Sequence, residues 1–185
     1  MSRRILFLGP PGAGKGTQAE LLARALGVPH ISTGAMLRDA ISEGSELGKQ
    51  VEAVVASGAL VSDDLVLALV EERLSRDDAQ CGYLLDGYPR NVAQAKALSD
   101  AVGAEAIEVT LLLDVDTDEL VARLMNRSAQ QGRADDTEEV IRHRLGVYLS
   151  ETAPLIEHYG TDVVAVNGVG SVNDIFARIV LALAG

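Results

Sequence analysis

The chain has 185 residues, of which 48% are hydrophobic and 23% are charged, a globular balance that excludes a disordered or collagen-like protein. Sixteen basic and 27 acidic residues give a formal net charge of −11, and aromatic residues make up only 3% of the chain. An acidic protein with few aromatic rings repels phosphate backbones and offers little surface on which bases could stack, so nucleic acid is not an expected partner.

Short apolar runs alternate with longer amphipathic segments along the chain. The runs predict buried strands at residues 4–8, 28–32, 83–86, 107–114 and 163–166. A first helix is predicted at residues 16–26, and three more lie within 33–76, separated by breaks near Gly44 and at 58–61. Further helices are predicted at 91–102 and 117–126, from about Thr137 onward, and at 172–184. This alternation predicts an α/β domain over residues 1–185, with a parallel sheet covered by helices on both faces. The stretch at 32–61 lacks a strong strand beyond its start, which indicates an inserted helical lobe.

Signals for metals, disulfides and membranes are weak. The single cysteine, Cys81, is expected to be a small core residue, and His30, His143 and His158 lack the spacing of a metal-ligand set. No apolar run approaches 18 residues, and the glycines and prolines at 9–12 end the first run too early for a signal peptide. We therefore expect a cytoplasmic protein that binds neither membrane nor zinc.

A glycine-rich loop follows the first predicted strand and opens the first predicted helix. Residues 9–15 read Gly-Pro-Pro-Gly-Ala-Gly-Lys, the pattern of a phosphate-binding loop, in which backbone N–H groups point inward and Lys15 reaches the outer phosphates. The next residue is Gly16 rather than Ser or Thr, and the first hydroxyl is that of Thr17. A chance glycine-rich turn is the alternative, but the strand before it and the helix after it favour a nucleotide site.

Such a loop indicates a nucleotide but leaves the class of enzyme open. The chain lacks the N-K-x-D segment of a GTP switch and the L-S-G-G-Q-like segment of a transport ATPase. A kinase for a small acceptor needs a second basic site, and Asp86, Gly87, Pro89 and Arg90 supply one after the strand at 83–86. Asp86 can orient waters on Mg²⁺, and Arg90 is placed to grip an acceptor phosphate. The alternatives are a turn cap for Asp86 and a solvated charge for Arg90.

Five segments together resemble the adenylate kinase family. They are residues 9–17, 31–38, 86–91, 132–136 and 142–145, and they follow the family's order over nearly the whole chain. The resemblance implies reversible, Mg²⁺-dependent phosphoryl transfer from ATP to AMP, giving two ADP, in adenine nucleotide homeostasis. It also implies a monomer with a P-loop kinase-type five-stranded parallel sheet flanked by helices, a small helical AMP-binding lobe at 32–61 and a short lid at 127–137.

The resemblance also implies roles for individual residues. The ATP site would comprise Gly12, Ala13, Gly14, Lys15, Gly16, Thr17, Arg123, Arg127 and Gly170. The AMP site would comprise Thr33, Arg38, Ala59, Leu60, Val61, Gly87, Tyr88, Pro89, Arg90, Gln94, Arg133 and Arg144. The catalytic set would be Lys15, Asp86, Arg90, Arg127, Arg133 and Arg144. No side chain is expected to bind metal directly, because phosphates and waters would hold Mg²⁺ near Asp86 and Thr17.

Two features bear on the variant of this family and on its acceptor. The segment between Arg127 and Arg133 is too short for the β-rich insertion of long-lid relatives, so the chain resembles the short-lid form. UMP/CMP kinases share the D-G-[FY]-P-R-N pattern of residues 86–91, but Thr33 favours AMP because those relatives tend to carry alanine there. A catalytically weak nucleotide sensor is the third alternative, and turnover of ATP with AMP would distinguish it from an enzyme.

Overall fold

The computed structural model describes residues 4–116, 119–121, 123–124 and 137–184. The predicted helix at 117–126 lies partly outside these ranges, and its described residues, 119–121 and 123–124, are helical. The predicted lid lies outside them except for Thr137. None of the described helices is both long and apolar enough to cross a bilayer.

Five parallel strands form one sheet in the order β2-β3-β1-β4-β5, which confirms the predicted fold class. The strands are β1 (Arg4–Leu8), β2 (His30–Ser32), β3 (Tyr83–Asp86), β4 (Val109–Asp114) and β5 (Val163–Asn167). Because all five run in one direction, their carboxyl ends share one edge, where open parallel sheets bind ligands. The register sets Asp86 of β3 opposite Phe7 of β1 and Ser32 of β2, so Asp86 lies between these two strands at that edge.

The helices occupy the predicted parts of the chain with small shifts at their ends. They are α1 (Lys15–Leu26), α2 (Thr33–Ser42), α3 (Glu46–Ser57), α4 (Asp63–Leu74), α5 (Val92–Val102), α6 (Glu138–Val147), α7 (Pro154–Tyr159) and α8 (Val172–Ala184). A π-helical turn, Tyr148–Thr152, joins α6 to α7. Neither that turn nor α7 was predicted, although Pro154 at the first turn of α7 is a helix-start signal.

Alternate side chains of β1 enter two separate hydrophobic clusters. Ile5 and Phe7 pack in a cluster that includes residues of α1 and α8, whereas Leu6 and Leu8 pack in one that includes residues of α4, α5 and α7. All four side chains are almost completely buried. A strand buried on both faces reads as a continuous apolar run, which is why the sequence predicts it clearly.

Two local expectations were wrong. Cys81 is exposed rather than buried, because it lies in the turn between a short 3₁₀ segment and β3. The sequence Ser62-Asp63-Asp64 predicts an N-cap for α4, but the Ser62 side chain accepts no capping hydrogen bond. Thr137, in contrast, caps α6 by accepting from Val140 N at 3.4 Å.

Candidate active site

The glycine-rich loop lies between β1 and α1 at the carboxyl edge of the sheet. Gly14 precedes α1 in the left-handed conformation (φ 94°), and no side chain caps the helix or places an acid in its first turn. The first N–H groups of α1 therefore face the cleft with the positive end of the helix dipole, an arrangement that binds anions. Lys15 Nζ donates to the carbonyl oxygens of Gly9 (2.7 Å) and Pro10 (3.0 Å), which holds the ammonium over the loop.

Asp86 brings a carboxylate to the same edge, and it is 9% exposed. Its Oδ2 lies 3.4 Å from His30 Nε2, within ion-pair distance but without the alignment of a hydrogen bond. Burial raises the pKa of Asp86, but the contact with His30 and the positive charge of Lys15 outweigh burial and hold that pKa below its usual range. An ionised carboxylate therefore stands beside the phosphate-binding loop.

A smaller cavity opens beyond β2 and β3 next to the main cleft. Their volumes are about 60 and 660 Å³, and Arg38, Leu60, Gly87, Arg90 and Arg144 line both. The two spaces are therefore contiguous parts of one site, with the phosphate-binding loop on one side and an arginine-rich wall on the other.

The carbonyl oxygen of Gly87 ties together the two sides of this smaller cavity. It accepts hydrogen bonds from Thr33 Oγ1 (2.9 Å) and from Arg90 Nε (2.8 Å). A Cβ atom at Gly87 would lie 3.0 Å from the Thr33 hydroxyl oxygen and 3.3 Å from Arg90 Nη2, so a larger residue would disturb both side chains. The turn after β3 thereby orients the Arg90 guanidinium, and its Gly87 carbonyl oxygen accepts the hydroxyl hydrogen of Thr33.

Three arginines from separate elements converge on the smaller cavity: Arg38 of α2, Arg90 before α5, and Arg144 of α6. Burial lowers the pKa of Arg90, and the charges of Arg144 and Arg38 lower it further against the opposite effect of Asp86. In a chain of net charge −11, this local concentration of positive charge is suited to an anionic ligand.

Arg144 reaches the cavity because α6 packs closely against the end of α3. A Cβ atom at Gly58 would lie 2.7 Å from Arg144 Cγ and 2.9 Å from Val140 Cγ1. Glycine at the end of α3 therefore provides the space in which the aliphatic part of Arg144 lies. The contact joins the helical segment at 33–57 to the helix that follows the predicted lid.

Gln94 is buried, and both ends of its amide are bonded. Its Oε1 accepts from Arg90 N (2.7 Å), and its Nε2 donates to Asp63 Oδ1 (2.6 Å). The side chain also lines the smaller cavity. The amide is therefore held in one orientation.

Arg123 lies at the opposite end of the main cleft. Its Nη1 donates to the carbonyl oxygen of Gly168 (3.1 Å), and its Nε donates to Glu119 (2.8 Å). Gly170 lines neither cavity; a Cβ atom there would lie 3.4 Å from Arg178 Nη2, and Arg178 donates to the carbonyl oxygen of Val169. The loop after β5 is thus held by arginines near the end of the cleft.

Most of the predicted site residues border the two cavities. Those that do are Gly12, Gly14, Lys15, Gly16, Thr17, Thr33, Arg38, Ala59, Leu60, Val61, Asp86, Gly87, Pro89, Arg90, Gln94, Arg123 and Arg144. Ala13, Tyr88 and Gly170 do not line either cavity, and the Tyr88 side chain is fully buried in the core. Arg127 and Arg133 lie outside the described residues.

His30 lines the main cleft, although no role was assigned to it from the sequence, because it lacks the spacing of a metal ligand. It stands one strand away from Asp86, and its Nε2 is buried without a hydrogen-bond partner. The sheet register explains the contact, because His30 is two residues before Ser32, the register partner of Asp86, and alternate residues of a strand share one face. Its spacing from other histidines could not reveal this, since its neighbour is a carboxylate more than 50 positions later.

A phosphate-binding loop after the central strand, joined to an arginine-lined cavity beyond the next strand, defines a P-loop phosphotransferase with a second anionic substrate.

Comparison with known proteins agrees with this class. The family model described as adenylate kinase matches residues 7–164. Similar proteins are adenylate kinases of Mycobacterium sp. (strain MCS), 51% identical over 97% of this chain and 98% of the relative, and of Synechococcus sp. (strain WH7803), 51% identical over all of both chains. That of Stenotrophomonas maltophilia (strain R551-3) is 49% identical over 98% of this chain and all of the relative.

The chain belongs to the adenylate kinase family, and it is an enzyme that transfers a phosphoryl group between ATP and AMP to give two ADP. This confirms the family and the activity that the five sequence segments implied.

Proposed function

We propose that ATP binds with its phosphates on the glycine-rich loop and that AMP binds in the smaller cavity. The observation that carries this division is the pair of cationic sites at the two sides of one cleft, Lys15 on the loop and Arg38, Arg90 and Arg144 at the far wall. Both nucleotides would then direct their phosphates to the carboxyl edge of the sheet. The transferring group would pass between them close to Asp86.

In this arrangement the protein stabilises charge and needs no general base. The transferring phosphoryl group carries negative charge on its equatorial oxygens, and fixed cations lower the energy of that state. The phosphate of AMP is already ionised near neutral pH, since its second pKa is about 6. We therefore assign the stabilisation of charge to Lys15, Arg90, Arg127, Arg133 and Arg144. Asp86 completes the catalytic set, and no residue is assigned as a proton acceptor.

The residues beside the loop fit a magnesium ion held by phosphates and water. Asp86 provides an ionised carboxylate in the cleft, and the position after Lys15 is a glycine, so the nearest loop hydroxyl belongs to Thr17. When bound, Mg²⁺ would neutralise part of the phosphate charge. Asp86 would hold its waters rather than the ion itself. Among the described residues no group of His, Cys, Asp and Glu could hold a metal ion by itself.

We propose that the segment at 32–61 is the AMP-binding lobe and that the segment at 127–137, which lies outside the described residues except for Thr137, is the lid. A closed site protects ATP from hydrolysis, because the catalytic arginines would meet the γ-phosphate only when both substrates are bound. One chain supplies both cationic sites of the cleft, so we propose that a monomer is sufficient for the transfer.

Replacing Thr33 with alanine should relax the choice of acceptor base. Thr33 donates its hydroxyl hydrogen to the Gly87 carbonyl oxygen, so Thr33 Oγ1 can only accept a hydrogen bond from a bound base. An acceptor at this place suits the amino group of adenine better than the oxo group of guanine or uracil. Loss of one neutral hydrogen bond of about 1 kcal/mol should lower the preference for AMP over GMP and UMP by about fivefold.

A coupled assay with AMP, CMP, UMP and GMP measures this preference and tests the proposed function itself. We expect AMP to be the best acceptor of the unmodified enzyme, with a KM for ATP that Thr33→Ala leaves unchanged. Thr161→Ala, which removes an exposed hydroxyl far from the cleft, is the control. CMP, UMP or GMP used as well as AMP would show that the smaller cavity does not select adenine and would overturn the proposed AMP site. Unchanged selectivity in Thr33→Ala would assign recognition to the backbone at 59–61.

A further inference from the structure

We propose that Asp63, at the start of α4, is a specificity-determining positioning residue that locks the amide of Gln94 in the orientation that recognises adenine. Asp63 lines neither cavity and was considered in the sequence only as part of a helix start. The inference rests on the proposed AMP site in the smaller cavity, and it adds a residue behind the wall of that site.

The hydrogen bonds around Gln94 allow only one orientation of its amide. The Asp63 carboxylate can only accept, and it receives Gln94 Nε2 at 2.6 Å. The Arg90 backbone N–H can only donate, and it gives its hydrogen to Gln94 Oε1 at 2.7 Å. Turning the amide over would set an oxygen against the carboxylate and an NH₂ group against the N–H, so both contacts would become repulsive.

The backbone of Gln94 is fixed as well. Gln94 N donates to Asn91 Oδ1 (2.8 Å) in the cap of α5, and the Tyr88 hydroxyl donates to the Gln94 carbonyl oxygen (3.3 Å). Gln94 is 2% exposed, so water cannot easily replace a lost partner. With its backbone held, the Gln94 side chain can still rotate its amide group, and the hydrogen bonds with Asp63 and Arg90 N prevent that rotation.

The orientation matters because the amide lines the smaller cavity beside Thr33. The edge of adenine offers an amino donor next to a ring nitrogen acceptor, whereas hypoxanthine offers an oxo acceptor next to an N–H donor. A locked amide presents its donor and its acceptor in a fixed order, which can match one of these edges only. An amide free to turn over could match either edge, and discrimination between AMP and IMP would fall.

Asp64, the next residue of α4, provides a matched control for substitution of Asp63. Asp63 and Asp64 both lie in the first turn of α4, so each interacts favourably with the helix dipole. Of these two aspartates, Asp63 is the one whose carboxylate accepts a hydrogen bond from the Gln94 amide. The variant Asp64→Ala therefore removes a similar charge from the same turn without releasing the amide.

The test measures kcat/KM with AMP and with IMP, at saturating ATP, for the unmodified enzyme, Asp63→Ala, Asp63→Asn and Asp64→Ala. We expect Asp63→Ala to lower the ratio of AMP to IMP by about tenfold, as for the loss of a hydrogen bond to a charged group, with the KM for ATP unchanged. Asp63→Asn retains an acceptor oxygen and should fall between Asp63→Ala and the unmodified enzyme. Asp64→Ala should retain the full ratio, and thermal melting of all variants shows whether they fold.

A double-mutant cycle tests whether Asp63 affects base selectivity through the Gln94 amide. In a Gln94→Ala background, the further change Asp63→Ala should leave the AMP to IMP ratio as it is, because no amide remains to orient. A ratio that Asp63→Ala does not lower in the folded enzyme would overturn the inference while leaving the AMP site intact. If the unmodified enzyme itself failed to prefer AMP, the proposed AMP site would be wrong instead.

Discussion

Replacing Arg144 with alanine should lower kcat by about a thousandfold and change the affinity for ATP much less. Arg144 lines both cavities, and its charge is close enough to lower the pKa of Arg90, so it lies between the two proposed nucleotide phosphates. Charges supplied to a transferring phosphoryl group by arginine are worth about 10³–10⁵ in rate. ATP would still bind through Lys15 and the N–H groups of the loop.

The same helix provides the control for that change. Arg142, two residues earlier on α6, is exposed and pairs with Glu138 at 2.9 Å on the solvent side. Arg142→Ala should retain kcat within about twofold, since exposed ion pairs contribute little. Single-turnover kinetics with separate nucleotide titrations would measure both variants. A defect of Arg144→Ala that lay wholly in the KM for ATP would show that its charge is not used in the transfer step.

Replacing Arg90 with alanine should weaken AMP binding and leave ATP binding almost unchanged. Arg90 Nε is held by the Gly87 carbonyl oxygen (2.8 Å), and its side chain lines the smaller cavity beyond the end of β3. Loss of a charge-assisted phosphate contact costs about 1.5–3 kcal/mol, which corresponds to a rise in Kd of about 10- to 150-fold.

Calorimetric titration with each nucleotide measures this change directly. Arg76, an exposed arginine just after α4 that pairs with Glu72 at 3.0 Å, is a suitable control, and Arg76→Ala should bind both nucleotides normally. Arg90→Lys should recover part of the affinity, because lysine retains the charge but lacks the planar fork. Equal weakening of ATP and AMP by Arg90→Ala would contradict the division of the cleft.

The fold could be predicted from the sequence because its strands are buried on both faces. The strand at 4–8 and the strand at 83–86 were predicted to the residue, since each is a short apolar run with a clear end. The starts of β2 and β4 were predicted two residues too early, at 28 and 107, because an apolar residue before a strand cannot be distinguished from one inside it. The turn at Tyr148–Thr152 and α7 were missed because this stretch has no strong helical periodicity.

The residues themselves predict only the parts of the candidate site that lie in short motifs, and the family resemblance supplied the others, such as Gln94 and Arg123. The loop at 9–17 and the segment at 86–91 have spacings with a direct physical meaning, so the residues in them were found. The contact of His30 with Asp86 and that of Asp63 with Gln94 join residues far apart in the chain, and only the register of the sheet and the position of α4 bring them together. The same holds for Gly58 and Arg144, whose close approach depends on the packing of α6 against α3.

Titration with a single ligand that joins two adenosines through five phosphates tests the central claim most directly. If the cleft holds ATP on the loop and AMP at the arginine wall, this ligand occupies both sites at once, and linkage makes the second contact intramolecular. We expect one ligand per chain, bound at least about a hundredfold more tightly than ATP, with most of that gain lost in Arg90→Ala. Binding of two ligands per chain, or affinity no greater than that for ATP, would contradict the account.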